Sequence, residues 1–171
     1  MDLYLLRHAT AVDVGARGVH NDAARYLNEE GKAEAAAIAK GIARIETRFE
    51  AILTSPYPRA RQTAEIVAKR LGLETAVEST PVLEPGASLK AVGAEIERRR
   101  LEGPVMIVGH NPDFEEMVAF AICSKGCGAI NLKKSGLAIL RFGGAIAPGR
   151  GELRGLLTPE HLQWIGGKQV R

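Results

Sequence analysis

The chain has 171 residues, enough to bury a core without disulfide staples, since a domain of this size removes roughly 70% of its unfolded surface from water. Its 23 Lys and Arg against 20 Asp and Glu leave a formal charge of +3, too small and too evenly spread for a nucleic-acid protein but compatible with a small anionic partner. Cys123 and Cys127 are too few for a four-thiolate metal site and read as ordinary thiols, and no apolar run approaches the roughly 20 residues that cross a bilayer, so a single cytoplasmic domain over residues 1–171 is expected.

In chain order, Leu3 to Leu6 reads as a buried strand that stops on Arg7 and His8. Neighbours on a strand point to opposite faces, so this pair can serve one site only where the strand gives way to a turn. Residues 11 to 25 lack an apolar period and read as a surface loop. Asn28 is a good N-cap, Glu29 and Glu30 suit the positive end of a helix, and Ala35, Ile38, Ile42 and Ile45 recur at helical spacing, predicting a helix over about 29–46. Ala51 to Thr54 is a short strand that hands over, through Ser55-Pro56-Tyr57-Pro58, to a helix reaching Leu71 and closed by Gly72; Arg59 and Arg61 lie in its first turn. Glu74 to Val77 is a candidate short strand, Glu84 lies in a loop, and Ser88 to Leu101 reads as a third helix.

Pro104 to Gly109 is fully apolar, as in parallel sheets, and ends on His110-Asn111-Pro112, where a further helix begins. Leu137 to Phe142 and Glu152 to Leu157 read as a strand pair, and Thr158 to Trp164 as a last short helix before mobile final residues. The basic clusters Arg98-Arg99-Arg100 and Lys133-Lys134, together with His20 and His161, read as surface. Strand alternating with helix predicts a three-layer α/β/α sandwich with a mostly parallel central sheet.

Ligands of such folds sit beyond the carboxyl ends of the strands. Three of those ends carry Arg7-His8, then Ser55 with Arg59 in the next turn, then His110. Arginine presents a planar fork of donors to phosphate oxygens, and a helix N-terminus adds free N–H groups. A neutral imidazole can attack phosphorus while a second donates to an equatorial oxygen. Fixed cations spread the transferring charge, so phosphoryl transfer here calls for no metal and no cofactor. Ser55 reads as a turn residue rather than a nucleophile, because no Gly-x-Ser-x-Gly setting surrounds it.

Leu-Arg-His-Ala at 6–9, Ser-Pro-Tyr-Pro-Arg-Ala-Arg-Gln-Thr-Ala at 55–64 and Val-Gly-His-Asn-Pro at 108–112 resemble the histidine phosphatase superfamily, with its phosphoglycerate mutase-like fold. Within it, the short chain and the segment from Arg25 to Gly31 are most similar to the SixA-type phosphohistidine phosphatases. The resemblance implies that His8 is the phosphorylated nucleophile, that Arg7, Arg59 and His110 complete the phosphate pocket, and that Arg25 is auxiliary. Ala9 stands where Gly is usual, which matters if the turn needs a positive φ.

Ejecting an alkoxide requires a general acid, whereas a protonated imidazole leaves readily. Mutase-like branches carry a proton-donating Glu beyond the second helix. Glu84 falls in a comparable stretch; a solvated loop residue is the competing reading. With little chain between Glu84 and the Val105 strand to form a lid, the leading expectation is a phosphohistidine phosphatase acting on a signalling or phosphocarrier protein. A small-molecule phosphomonoesterase comes next, and a non-catalytic phosphate-binding module last.

Overall fold

The apolar run after Met1 becomes β1 (Asp2–Arg7), which in the computed structural model lies inside a six-stranded sheet rather than at its edge. The structure describes residues 1–125 and 128–167; the expectations for Cys127 and for the final residues, 168–171, fall outside them. Asn28 accepts from the Gly31 amide and so caps α1 (Glu29–Ile45). β2 (Ala51–Thr54) leads into α2 (Pro58–Leu71), which has proline at its first position and ends on Gly72 at φ 69°.

Two expectations need correction beyond α2. Glu74–Ala76 is a 3-10 turn, and the strand, β3 (Val77–Ser79), starts only at Val77, where pairing with Ile52 of β2 begins. The chain must first turn back after Gly72 before it can reach its neighbour. The next helix, α3 (Leu89–Arg98), is capped by Ser88 and stops short of Leu101. Arg100 adopts φ 57° there, and the Leu101 amide donates back to Ile96, a left-handed termination that leaves Leu101 against the core.

β4 (Val105–Gly109) is buried throughout, and α4 (Asp113–Ile122) follows a cis Asn111–Pro112 peptide. β5 (Leu137–Phe142) and β6 (Gly151–Leu157) form the expected antiparallel pair. α5 (Pro159–Ile165) closes the described chain, with Thr158 and His161 exchanging capping hydrogen bonds, so His161 has a structural part at the helix start.

The strand order is β3-β2-β4-β1-β5-β6. The first four are mutually parallel, while β5 runs antiparallel to β1. Period-two alternation splits the core between the faces. Leu3, Leu5, Val105 and Ile107 pack with Leu89, Val92 and Ile96 of α3 and Phe114 and Met117 of α4; Tyr4, Leu6, Met106 and Val108 pack with residues of α1, α2 and α5. The result is the expected three-layer α/β/α sandwich. Arg7 is paired with Gly109, and Thr54 with Val108, so β2, β4 and β1 end side by side. α1 is pressed against the turn after β1 at Gly31, where a Cβ would stand 1.9 Å from the Thr10 carbonyl oxygen.

Candidate active site

The three adjacent strand ends deliver His8, Arg59 and His110 into one buried cluster. His8 is 7% exposed, Arg59 4% and His110 3%, and the two imidazole rings lie 5.2 Å apart. His8 follows the last residue of β1, and its Nδ1–H donates to the Ala9 carbonyl at 2.7 Å. That bond holds the proton on Nδ1 and leaves a lone pair on Nε2, which accepts from Arg59 Nε at 3.2 Å. Burial pushes the His8 imidazole down to about 3, helped by the cationic surroundings and opposed by the Ala9 carbonyl. It is therefore neutral at pH 7.

Arg59 sits in the first turn of α2 because Pro56 and Pro58 end β2 and start the helix within four residues. Its Nη1 donates to the Asp22 carbonyl at 2.6 Å and its Nη2 to Asp22 Oδ2 at 2.7 Å. Its guanidinium also lies over the Tyr57 ring, 5.1 Å from the centroid. His110 Nε2 and the Ser55 hydroxyl are 2.9 Å apart, while Ser55 Oγ also accepts from the Tyr57 amide. Ser55 thus makes the expected turn and in addition fixes His110. Burial, then the charge of Arg59, pushes His110 down to about 4. Arg7, half-buried, donates from Nη1 to the Leu132 carbonyl at 2.9 Å.

Arg7 Nε, His110 Nδ1 and Asn111 Oδ1 are buried without a hydrogen-bond partner among the described residues. Most buried polar groups find partners, so three together at one set of strand ends mark a place built to receive polar atoms.

Neither auxiliary candidate hydrogen-bonds to His8 or His110 among the described residues. Arg25 donates from Nε to the Val12 carbonyl and from Nη1 to Asp22 Oδ1, so it reaches Arg59 through a shared carboxylate. Glu84 is half-buried at the end of a short 3-10 turn. Its loop is held beside β4 by Asp113 Oδ2, which accepts from the Gly86 and Ala87 amides. The Glu84 carboxylate makes no hydrogen bond or ion pair among the described residues. Ala9 does not need a positive φ; its Cβ packs with Leu27 and Ala35, which explains why a methyl is accommodated.

Sequence reasoning missed Asp22, Thr63 and Asn111. Thr63 Oγ1 accepts from the Ala9 amide and donates to the Arg59 carbonyl, tying the β1 turn to α2. Asn111 and Arg7 share the Leu132 carbonyl. Thr63 lies in the quoted 55–64 motif and Asn111 beside His110, so both could have been found there; Asp22 lies in a loop without pattern. Burial raises the Asp22 carboxyl, but hydrogen bonds and charge from Arg25 and Arg59 outweigh it and hold the group below the ordinary carboxylate range.

The profile of the histidine phosphatase superfamily (branch 1) matches residues 3–84. An uncharacterised protein of Picosynechococcus is 36% identical over 85% of this chain and 87% of its own length. The phosphohistidine phosphatase SixA of Escherichia coli is 30% identical over 70% of this chain and 73% of its own. A solved structure of the protein histidine phosphatase SixA complexed with tungstate superposes with a TM-score of 0.78, at 26% identity over 95% of this chain and 99% of that one. The architecture is the phosphoglycerate mutase-like one.

Proposed function

This chain belongs to the histidine phosphatase superfamily and is a SixA-like hydrolase, and on that premise we propose that it removes phosphoryl groups from phosphohistidine through a covalent intermediate on His8. The observation that carries the reading is the state of His8: neutral, its proton held on Nδ1 by Ala9, its Nε2 lone pair beside the Arg59 guanidinium. Nε2 attacks phosphorus in line, the new N–P bond forms as the bond to the departing imidazole breaks, and that imidazole leaves with the bonding electron pair. Water then attacks phosphohistidine-8 to release inorganic phosphate and restore the ring.

Arg59, freed from Nε2 when the lone pair is used, turns its Nε–H to the phosphoryl oxygens, and Arg7 Nε supplies another donor. Where the Ser55 hydroxyl donates to His110 Nε2, the unpartnered Nδ1 carries a hydrogen and serves the same charge. The cations are the protein's own, so phosphate, vanadate and tungstate are expected as competitive inhibitors and chelators to be without effect. The proposed partner is a phosphohistidine-bearing signalling or phosphocarrier protein, and the proposed location the cytoplasm.

A departing imidazole needs no strong acid, which fits a Glu84 carboxylate that makes no hydrogen bond or ion pair to the four central residues among the described residues. The half-buried place of Glu84 beside β4 favours a second reading, a small-molecule phosphomonoesterase with Glu84 as proton donor. Turnover of a phosphohistidine protein against p-nitrophenyl phosphate and sugar phosphates separates the two. Faster hydrolysis of the esters, lost selectively in Glu84→Gln, would replace the first reading with the second. Rapid-quench mass spectrometry of the intact protein should trap phosphate on His8. His8→Ala should lose at least roughly 10³-fold in rate together with that adduct. A protein that binds phosphate but never carries it covalently would be a binding module.

A further inference from the structure

Asp22 has no place in the chemistry above, yet it holds the side chains of two arginines at the rim. Its Oδ2 accepts from Arg59 at 2.7 Å and its Oδ1 from Arg25 at 3.1 Å. Arg59 is 4% exposed and the Asp22 side chain 56%, so the carboxylate stands between the buried donors and solvent. It sits on a 3-10 turn (Asp22–Ala24) whose cap, Asn21, accepts from the Ala24 amide. A group whose phosphoryl is bound by Arg59 must pass from that buried guanidinium to solvent, and Asp22 is the exposed carboxylate bonded to it. Holding Arg59 does not require a charge at this position. Its guanidinium is over Tyr57 and its Nη1 is on the Asp22 backbone carbonyl.

We propose that Asp22 is a charge-selecting residue of the site, favouring phosphoryl groups carried on a cationic partner and disfavouring those carried on an anionic one. For its physiological sense the proposal rests on the phosphohistidine reading. The ring of a phosphorylated imidazole protonated on its other nitrogen carries a positive charge and becomes neutral as it departs with the N–P electron pair, so the carboxylate helps hold the ring in its reactive form. Phosphate esters that carry a free carboxylate bring a like charge to the rim. Arg25 and Arg59 share the Asp22 charge and Asp13, 3.6 Å from Arg25, adds to it. The effect of so exposed a group is therefore modest, on the order of tenfold in selectivity.

The test uses aryl phosphates of similar leaving ability, so that it does not depend on the phosphohistidine reading. Tyramine phosphate carries a cation and the phosphate of 3-(4-hydroxyphenyl)propionate an anion. They are compared by kcat/KM, or by competitive inhibition constants where turnover is slow. The wild-type protein should favour the cationic compound by roughly tenfold, Asp22→Asn should bring the ratio near one, and Asp22→Lys should invert it. The preference should shrink between 0.1 M and 1 M salt, as the Debye length falls from about 10 Å to about 3 Å. A ratio unchanged in Asp22→Asn, or equal losses on both compounds in both variants, would overturn the proposal and leave Asp22 as a support for Arg59. Failure of the phosphohistidine reading would appear separately, in the comparison of phosphohistidine protein with esters.

Discussion

His8 and His110 keep their rings neutral by being buried among arginines, and that has a measurable cost in acid. An unfolded chain protonates histidine near the ordinary value of 6.5, whereas the native rings resist to about 3 and about 4. Between those values the unfolded state binds the extra protons, so the stability held above pH 6.5 is lost as pH falls toward 4 and then 3. Urea midpoints at pH 7, 5.5 and 4.5 should decline in that order, and His8→Ala or His110→Ala should flatten the decline. Ser55→Ala leaves His110 Nε2 buried without its partner, which should destabilise the protein by about 1–3 kcal/mol in urea unfolding. It should also lower activity, because the ring tautomer is no longer set. Arg7, His8, Arg59 and His110 are legible in the sequence because charged groups at the ends of apolar runs are hard to explain by packing. Asp22 is not, since its meaning comes from arginines 3 and 37 positions away and from no local pattern.

Elements were most legible where capping chemistry marks them. Asn28, Pro58, Gly72 and Ser88 each stand at the helix end their chemistry predicts. β3 and the end of α3 were not, because pairing with β2 and a left-handed Arg100 decide them, and neither has a strong sequence signal. The packing of α1 on the β1 turn depends on a missing side chain. Gly31→Ala would drive a methyl into the Thr10 carbonyl, and Thr10 also bonds Glu34 through both its amide and its hydroxyl. Thermal or urea unfolding should show a loss of about 1–3 kcal/mol. Activity should fall as well, because the same turn carries His8.

Across the whole molecule, the groups of the proposed site are gathered at one end of the sheet from segments far apart in the chain. Hydrogen exchange with and without tungstate should show added protection at residues 8–10, 22–27, 55–60 and 109–111, and little change in β6 or α5. Protection centred elsewhere would displace the proposed site. The three-layer class follows from alternating strands and helices, but the strand order does not. No local signal places β1 between β4 and β5, whose pairing residues lie about 100 positions or more downstream.

That central position of the first strand bears on how the protein is made. β1 leaves the ribosome before either neighbour exists, and at 5–20 residues per second it waits roughly 5–20 s for β4 and longer for β5. During that interval Leu3, Leu5 and Leu6 have no sheet to enter, and nascent-chain binding factors have an apolar segment to hold. His8 cannot meet Arg59 and His110 in their native places until β4 has docked, so a truncated translation product ending before it carries His8 but not the proposed site.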